Sequence, residues 1–198
     1  MAVKKKTKVM DKWKAKRWYT ILTPTIFEGR PLCELVAAED EQLLNRIVRT
    51  SLADLGLGGA SQVAMFTSLR FRITDIKGTT ANTKLIGHEI APSYLKTFAR
   101  RGRSLIHQVV DIKTTDGVLV RIKVLAVTGA RVSENTMRNL RATLVKDVLT
   151  LASAVKFDEM MGDILYGRFV SNLYSSLKKI TKMKRVEVRK SEVKEVFT

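Results

Sequence analysis

In 198 residues the chain has one cysteine, Cys33, and two histidines, His88 and His107. A lone thiol permits no internal disulfide, and so few soft ligands offer no zinc-type spacing, so an intracellular protein without metal or cofactor is expected. No apolar run approaches the ~18 residues of a transmembrane helix, which excludes a membrane-spanning reading. The basic start, Met1 to Lys16, leads into a strand-like segment rather than an apolar stretch with a cleavage site, and is read as retained. Catalytic sets are missing as well. No nucleophile stands with a base, and no carboxylates are paired at a supporting spacing. His88 in Gly87-His88-Glu89-Ile90 and His107 in Leu105-Ile106-His107 fall in predicted strands, where a hydrogen-bonded or surface histidine is the ordinary case. Cys33 reads as a small packed residue. Leu55-Gly56-Leu57-Gly58-Gly59 imitates the start of a dinucleotide fingerprint, but that motif requires a helix next, and Val63, Met65, Leu69, Phe71 and Ile73 alternate as a strand. An aromatic RNA-recognition signature is also absent.

Acids are scarce beside bases. Lys and Arg number 36 against 19 Asp and Glu, a formal charge of +17 with a pI near 10.2. Such a charge calls for a polyanionic partner, and nucleic acid fits better than a membrane. With 45% hydrophobic residues the chain can also bury a proper core.

The strongest pattern runs from Leu105 to Val127. Ile106, Val110 and Ile112 alternate on one arm and Val118, Val120, Ile122 and Val124 on the other, around Asp116-Gly117, as in a β-hairpin. A two-residue loop would set Ile112 opposite Arg121 and mix the faces. A three-residue Thr115-Asp116-Gly117 loop with Gly117 left-handed pairs Ile112 with Val120 and Val110 with Ile122. One face then joins a core; the other carries Asp111 opposite Arg121, beside Lys113 and Lys123.

Residues 1–17 form a basic tail expected to bind RNA, with Lys4, Lys5, Lys6, Lys8, Lys12, Lys14, Lys16 and Arg17 against Asp11. Trp13 and Trp18 interrupt it, and Trp18 is expected to anchor in the core. A single α+β domain is expected over 18–180. It begins with a strand over Trp18–Leu22, a short acidic helix or turn over Ala38–Asn45, a strand from Arg46 to Leu55, the long strand through Ile73, a Lys77-Gly78 turn, and a return strand over Thr79–Ile90. Pro92 opens a helix that Gly102 ends, with Tyr94, Leu95 and Phe98 inward. Lys96, Arg100, Arg101 and Arg103 crowd its exit without an acid, more cations than a helix C-terminus needs, which points to phosphate. Ser133 caps a helix with Met137, Leu140, Leu144, Val148, Leu151 and Val155 inward and Arg138 and Arg141 at its edges. Helices over Asp158–Leu165 and Arg168–Lys179 follow, the latter burying Phe169, Val170, Leu173, Leu177 and Ile180. Residues 181–198 are a basic extension with Lys182, Lys184 and Arg185, in which Val186 and Val188 suggest a short strand. Both tails are expected to be mobile until RNA orders them.

KWKAKRWYTILTPTIF, SLADL, GHEI, the Tyr94-Leu95 to Arg100-Arg101 segment, VDIKTTDGVLVRIKVLAVT and RVEVRKSEV resemble, in order and spacing, the archaeal and eukaryotic small-subunit ribosomal protein family called S-three-Ae, or eukaryotic-type S-one. The short ending looks archaeal. The resemblance implies an antiparallel β-barrel-like sheet with packed, mainly C-terminal helices. It also implies a cytoplasmic ribonucleoprotein bound to small-subunit ribosomal RNA at the platform near the messenger RNA exit, in contact with neighbouring platform proteins and supporting translation without catalysis. A free nucleic-acid-binding protein, such as an RNA chaperone or chromatin factor, and an RNA-modifying enzyme are the alternatives from other classes.

Overall fold

The computed structural model describes residues 13–14, 16–56 and 62–195. The chain runs through β1 (Arg17–Leu22), a 3-10 turn (Thr25–Phe27), β2 (Pro31–Ala37), a second 3-10 turn (Asp40–Gln42), β3 (Ile47–Ser51), α1 (Gln62–Met65), β4 (Thr67–Lys77), β5 (Thr80–Ile90) and α2 (Pro92–Lys96). Then come β6 (Leu105–Lys113), β7 (Leu119–Thr128), α3 (Glu134–Ser153), α4 (Phe157–Leu165), α5 (Arg168–Lys178) and β8 (Met183–Val193). The class is α+β. The eight strands join in a mixed sheet that does not close. The β-barrel-like antiparallel arrangement is thereby modified, because β1 runs parallel to β5 at Thr20↔Thr80, Ile21↔Ala81 and Leu22↔Asn82. The long excursion through β2, β3 and β4 supplies the crossover that a parallel pair requires.

Two compact units result, Met1–Val48 with Phe71–Leu85 and Arg49–Arg70 with Ile86–Thr198, and residues 18–180 are shared between them. In the first, Tyr19, Ile21, Ala37, Leu43, Val48, Ile73 and Ala81 pack together. The Tyr19 hydroxyl donates to Asp40 Oδ1 at 2.6 Å. Successive strand side chains point to opposite faces, so burying Tyr19 and Ile21 turns Trp18 outward. Trp18 is 63% exposed and does not anchor the core.

In the second unit the hairpin has the three-residue loop. Ile112 pairs with Val120, Val110 with Ile122 and Asp111 with Arg121. Gly117 lies at φ +78, and its N–H bonds the Thr114 carbonyl at 2.9 Å. Asp116 does more than turn the chain. Its carboxylate accepts the Phe157 N–H at 3.1 Å, satisfying one of the orphan donors at the start of α4. Helix α3 begins at the Ser133 cap, which accepts the Thr136 N–H at 3.3 Å, and buries Leu140, Leu144, Val148 and Ala152. Met160, Met161, Leu173 and Leu177 fill the helical layer, whereas Ile180, past the end of α5, stays at the surface.

Two further expectations change. Val63 and Met65 belong to the one-turn helix α1, and the long strand begins only at Thr67, whose hydroxyl closes that turn on the Val63 carbonyl at 2.8 Å. The Gly58-Gly59 part of the glycine-rich stretch lies outside the described residues. Residues 183–193 are no free tail: β8 runs eleven residues between β5 and β7, pairing His88 with Ser191 and Ile122 with Ser191. The β7 ladder runs along most of this basic segment, and β5 adds a second partner at Lys190–Glu192, so its backbone groups are largely paired.

Candidate nucleic-acid interface

The site begins with the short helix α2. Pro92 opens it, and Tyr94 and Leu95 turn toward Ile90, Leu125 and Val127. It stops at Lys96, well before Gly102, because the Thr97 hydroxyl and N–H both bond the Tyr94 carbonyl, at 2.6 and 3.1 Å. The remaining residues leave as an irregular segment that turns at Gly102, φ +77. Arg100 and Arg101 are exposed and Arg103 is half-buried.

The segment then joins the end of the hairpin. Ser104 N–H donates to Thr128 Oγ1 at 2.9 Å and its carbonyl accepts the Thr128 N–H at 3.0 Å. Beside this clasp, Gly129 N–H bonds the Lys182 carbonyl at 2.8 Å, Met183 of β8 lies opposite Thr128, and Arg185 opposite Val127. Residues far apart in sequence are thus brought to one end of the unit: Lys96, Arg100, Arg101 and Arg103 from the α2 exit, and Lys182, Lys184 and Arg185 from the start of β8. Apart from Arg185, these cations make no ion pair among the described residues. Arg185 Nε donates to Glu187 at 2.8 Å, and its guanidinium lies 5.1 Å from the Phe98 ring centre and 5.7 Å from that of Tyr94. Tyr94 in turn stacks on Phe66 and meets Phe98 edge-on. Burial pushes the Glu187 carboxyl up, against the pull of Arg185.

The hairpin's outer face is organised differently. Asp111 receives Arg121 Nε at 2.7 Å and Nη2 at 2.9 Å, with Lys194 Nζ at 2.7 Å. Those hydrogen bonds hold its carboxyl well below the usual carboxylate range. Glu192 takes Arg70 at 3.0 Å, Lys123 at 3.5 Å, and Lys190. Desolvation opposes its ionisation, but Lys190 and Arg70 outweigh it and keep the carboxyl low. Much of the positive charge there is neutralised internally, and Lys113 alone of the three predicted cations has no ion pair among the described residues.

Elsewhere the predicted cations are scattered. Lys14, Lys16 and Arg17 are exposed at the entry to β1, with Lys16 Nζ 4.1 Å from the Trp13 ring centre. Lys4, Lys5, Lys6, Lys8 and Lys12 lie outside the described residues. On α3, Arg138 is exposed and Arg141 reaches Glu134 at 3.4 Å. Sequence reasoning passed over Arg131, exposed after the hairpin, and Arg189, which sits where the β7–β8 register shifts. Composition could have marked Arg131; a bulge that re-aims Arg189 has no sequence signature here.

The titratable candidates have structural surroundings. His88 is buried, with Nε2 3.0 Å from the Val188 carbonyl and Nδ1 2.7 Å from Ser191 Oγ. Burial lowers its pKa to about 4, so the ring is neutral near pH 7. His107 is at the surface, and burial pushes the half-buried Cys33 thiol up. Among the described residues, no group of three His, Cys, Asp or Glu could hold a metal, and no helix is long and apolar enough to cross a membrane.

Comparison with known proteins extends over nearly the whole chain. The model of the Ribosomal S3Ae family matches residues 4–196. The chain is 36% identical over 191 residues to the small ribosomal subunit protein eS1 of Methanobrevibacter smithii, covering 96% of this chain and 97% of that one. Identity to eS1 of Sulfurisphaera tokodaii is 35% over 188 residues, covering 95% and 96% respectively. For eS1 of Methanothrix thermoacetophila it is 33% over 183 residues, covering 92% and 85%. The chain, from its basic start to the end of β8, therefore belongs to the ribosomal S3Ae family.

Proposed function

We propose that this protein is a non-catalytic constituent of the small ribosomal subunit that binds ribosomal RNA at the platform, near the messenger RNA exit, in the cytoplasm. The observation that carries the RNA contact is the gathering of exposed cations without ion pairs, Lys96, Arg100, Arg101, Lys182 and Lys184, at one end of the second unit. Leaving them near one another disfavours the compact state through repulsion, and a polyanion removes that repulsion. A-form RNA offers phosphates and 2′-hydroxyls to a protein surface rather than a readable major groove, and a rigid basic edge suits it. The segment 1–17 adds a second basic element, expected to order on RNA. The platform position and the neighbouring platform proteins rest on the family resemblance.

Sedimentation tests the reading. An affinity-tagged copy expressed in an archaeal cell should travel with the small subunit in a sucrose gradient at low salt, and leave it at high salt as counterions compete for the phosphates. A copy that sediments free, or with chromosomal DNA, would favour a free nucleic-acid-binding protein instead.

A further inference from the structure

Two open cavities of the second unit share Ala99 and Leu105 as walls. One, of about 320 Å³, is lined by Phe98, Arg100, Arg101 and Arg103. The other, of about 220 Å³, has Leu95 and Leu125 as an apolar floor, with Lys96, His107 and Arg189 around it. Their common walls make them parts of one groove, and no acid lines either part. Leu105 is 37% exposed, so apolar surface remains uncovered at the middle of the groove.

Cations and an apolar floor together make two demands on an occupant. An RNA duplex keeps its bases stacked inside and could meet the arginines while leaving Leu105 and Phe98 against water. A single strand meets both demands, because its unstacked bases cover apolar and aromatic surface while its phosphates follow the positive charge. The guanidinium of Arg185, 5.1 Å from the Phe98 ring centre, backs that ring and adds positive charge behind it. Clefts that enclose small ligands start at about 300 Å³, so the larger cavity is of a size to take a base.

We propose that this groove binds an unpaired segment of RNA, with a base against Phe98 and backbone phosphates on Arg100, Arg101 and Arg103, and on Lys96 and Arg189 farther along. The inference rests on the RNA-binding reading above and narrows it to single strands. Its test uses the full chain and fluorescence anisotropy at low salt with three probes: a ten-nucleotide oligoadenylate, a mixed-sequence RNA duplex of twenty base pairs, and a ten-residue polyglutamate peptide. Phe98→Ala should weaken oligoadenylate binding about fivefold or more, the loss of one stacked base, and leave duplex binding unchanged. Phe98→Tyr should retain the affinity. Phe98 also meets Tyr94 edge-on, so Leu105→Glu, at a part-exposed position, gives an independent reading: a carboxylate on the apolar wall should weaken oligoadenylate binding by clearly more than duplex binding. If oligoadenylate and duplex both bind and folded Leu105→Glu weakens neither, the groove proposal falls while the ribosomal RNA reading stands. No binding to either RNA at low salt would overturn both. Tight binding of polyglutamate with weak oligoadenylate binding would assign the groove to an acidic protein segment and overturn the proposal.

Discussion

The pH dependence of stability should be governed in part by His88. The Val188 carbonyl can only accept, so Nε2 at 3.0 Å carries the proton, and Nδ1 accepts from Ser191 Oγ at 2.7 Å. A proton on Nδ1 would reverse that bond and bring a charge into a fully buried site. The ordinary pKa of 6.5 falls to about 4, first through burial and also through the nearby charge of Arg70, against the favourable bond to Val188. The unfolded chain thus takes up a proton near pH 6.5, and the folded chain only near pH 4. Between those values the unfolded state binds more protons, and stability falls as the pH is lowered. Above pH 6.5 the group has no effect, and below pH 4 its full penalty, about 3 kcal/mol, is in place. At pH 4.5 the loss from this residue should be about 2.5 kcal/mol. Urea unfolding of the protein and of His88→Gln at pH 7 and pH 4.5 isolates it, since glutamine still donates to Val188 but takes up no proton. The drop between the two pH values should be larger by about 2.5 kcal/mol in the parent protein. Parallel profiles for the two proteins, or a folded-state imidazole titrating near pH 6.5 by NMR, would refute the reasoning.

Other substitutions test the fold around the site. Gly87 lies in β5 at φ +153, and a Cβ there would overlap the Ser191 carbonyl oxygen across the β5–β8 ladder. Gly87→Ala should therefore lower stability by at least about 2 kcal/mol in thermal or urea unfolding. At Gly117 a Cβ would meet only the end of the Lys113 side chain at 3.9 Å, so backbone conformation alone decides. Gly117→Val should destabilise by at least about 1 kcal/mol and Gly117→Asn by much less, as measured by urea midpoints. Asp116→Ala should remove the acceptor for the Phe157 N–H and lower stability by about 1 kcal/mol, while Asp116→Asn, which keeps an oxygen there, should restore most of it.

The hairpin was legible because its apolar residues occupy one phase of a period of two, and because a one-residue slip would have buried Arg121. Strand β1 gave no such phase. Trp18, Tyr19, Ile21 and Leu22 place apolar side chains on both faces, and it is the Asp40 partner, 21 residues away, that favours Tyr19 inside. β8 was hidden by its own charge. Arg185, Lys190 and Lys194 suggest a solvated tail, but their partners Glu187, Glu192 and Asp111 allow most of this segment to pair as a central strand. Its alternation is also masked, because Val186, Glu187 and Val188 are buried in succession, on both faces of the strand. Of the candidate site, the cations at the α2 exit were readable from an uncompensated run. Their meeting with Lys182, Lys184 and Arg185 was not, because it depends on the Ser104–Thr128 clasp and the placement of β8. The internal pairing of Arg121 and Lys123 was only half visible, since Asp111 lies across the hairpin but Glu192 comes from the far end of the chain.

The central claim is that the cations at the α2 exit hold ribosomal RNA by their charge, and the salt dependence of binding tests it most directly. Affinity for small-subunit ribosomal RNA should be measured from 50 to 300 mM KCl for the parent protein and for the combined Arg100→Ala, Arg101→Ala and Arg103→Ala variant. The log-log slope should become shallower by about 2 to 3, at roughly 0.7 to 0.9 for each phosphate that is no longer neutralised, with an unchanged Tm. Arg121→Ala with Lys123→Ala, which removes cations already paired with acids, should change the slope less. A triple variant that folds, binds, and keeps the parent slope would contradict the account.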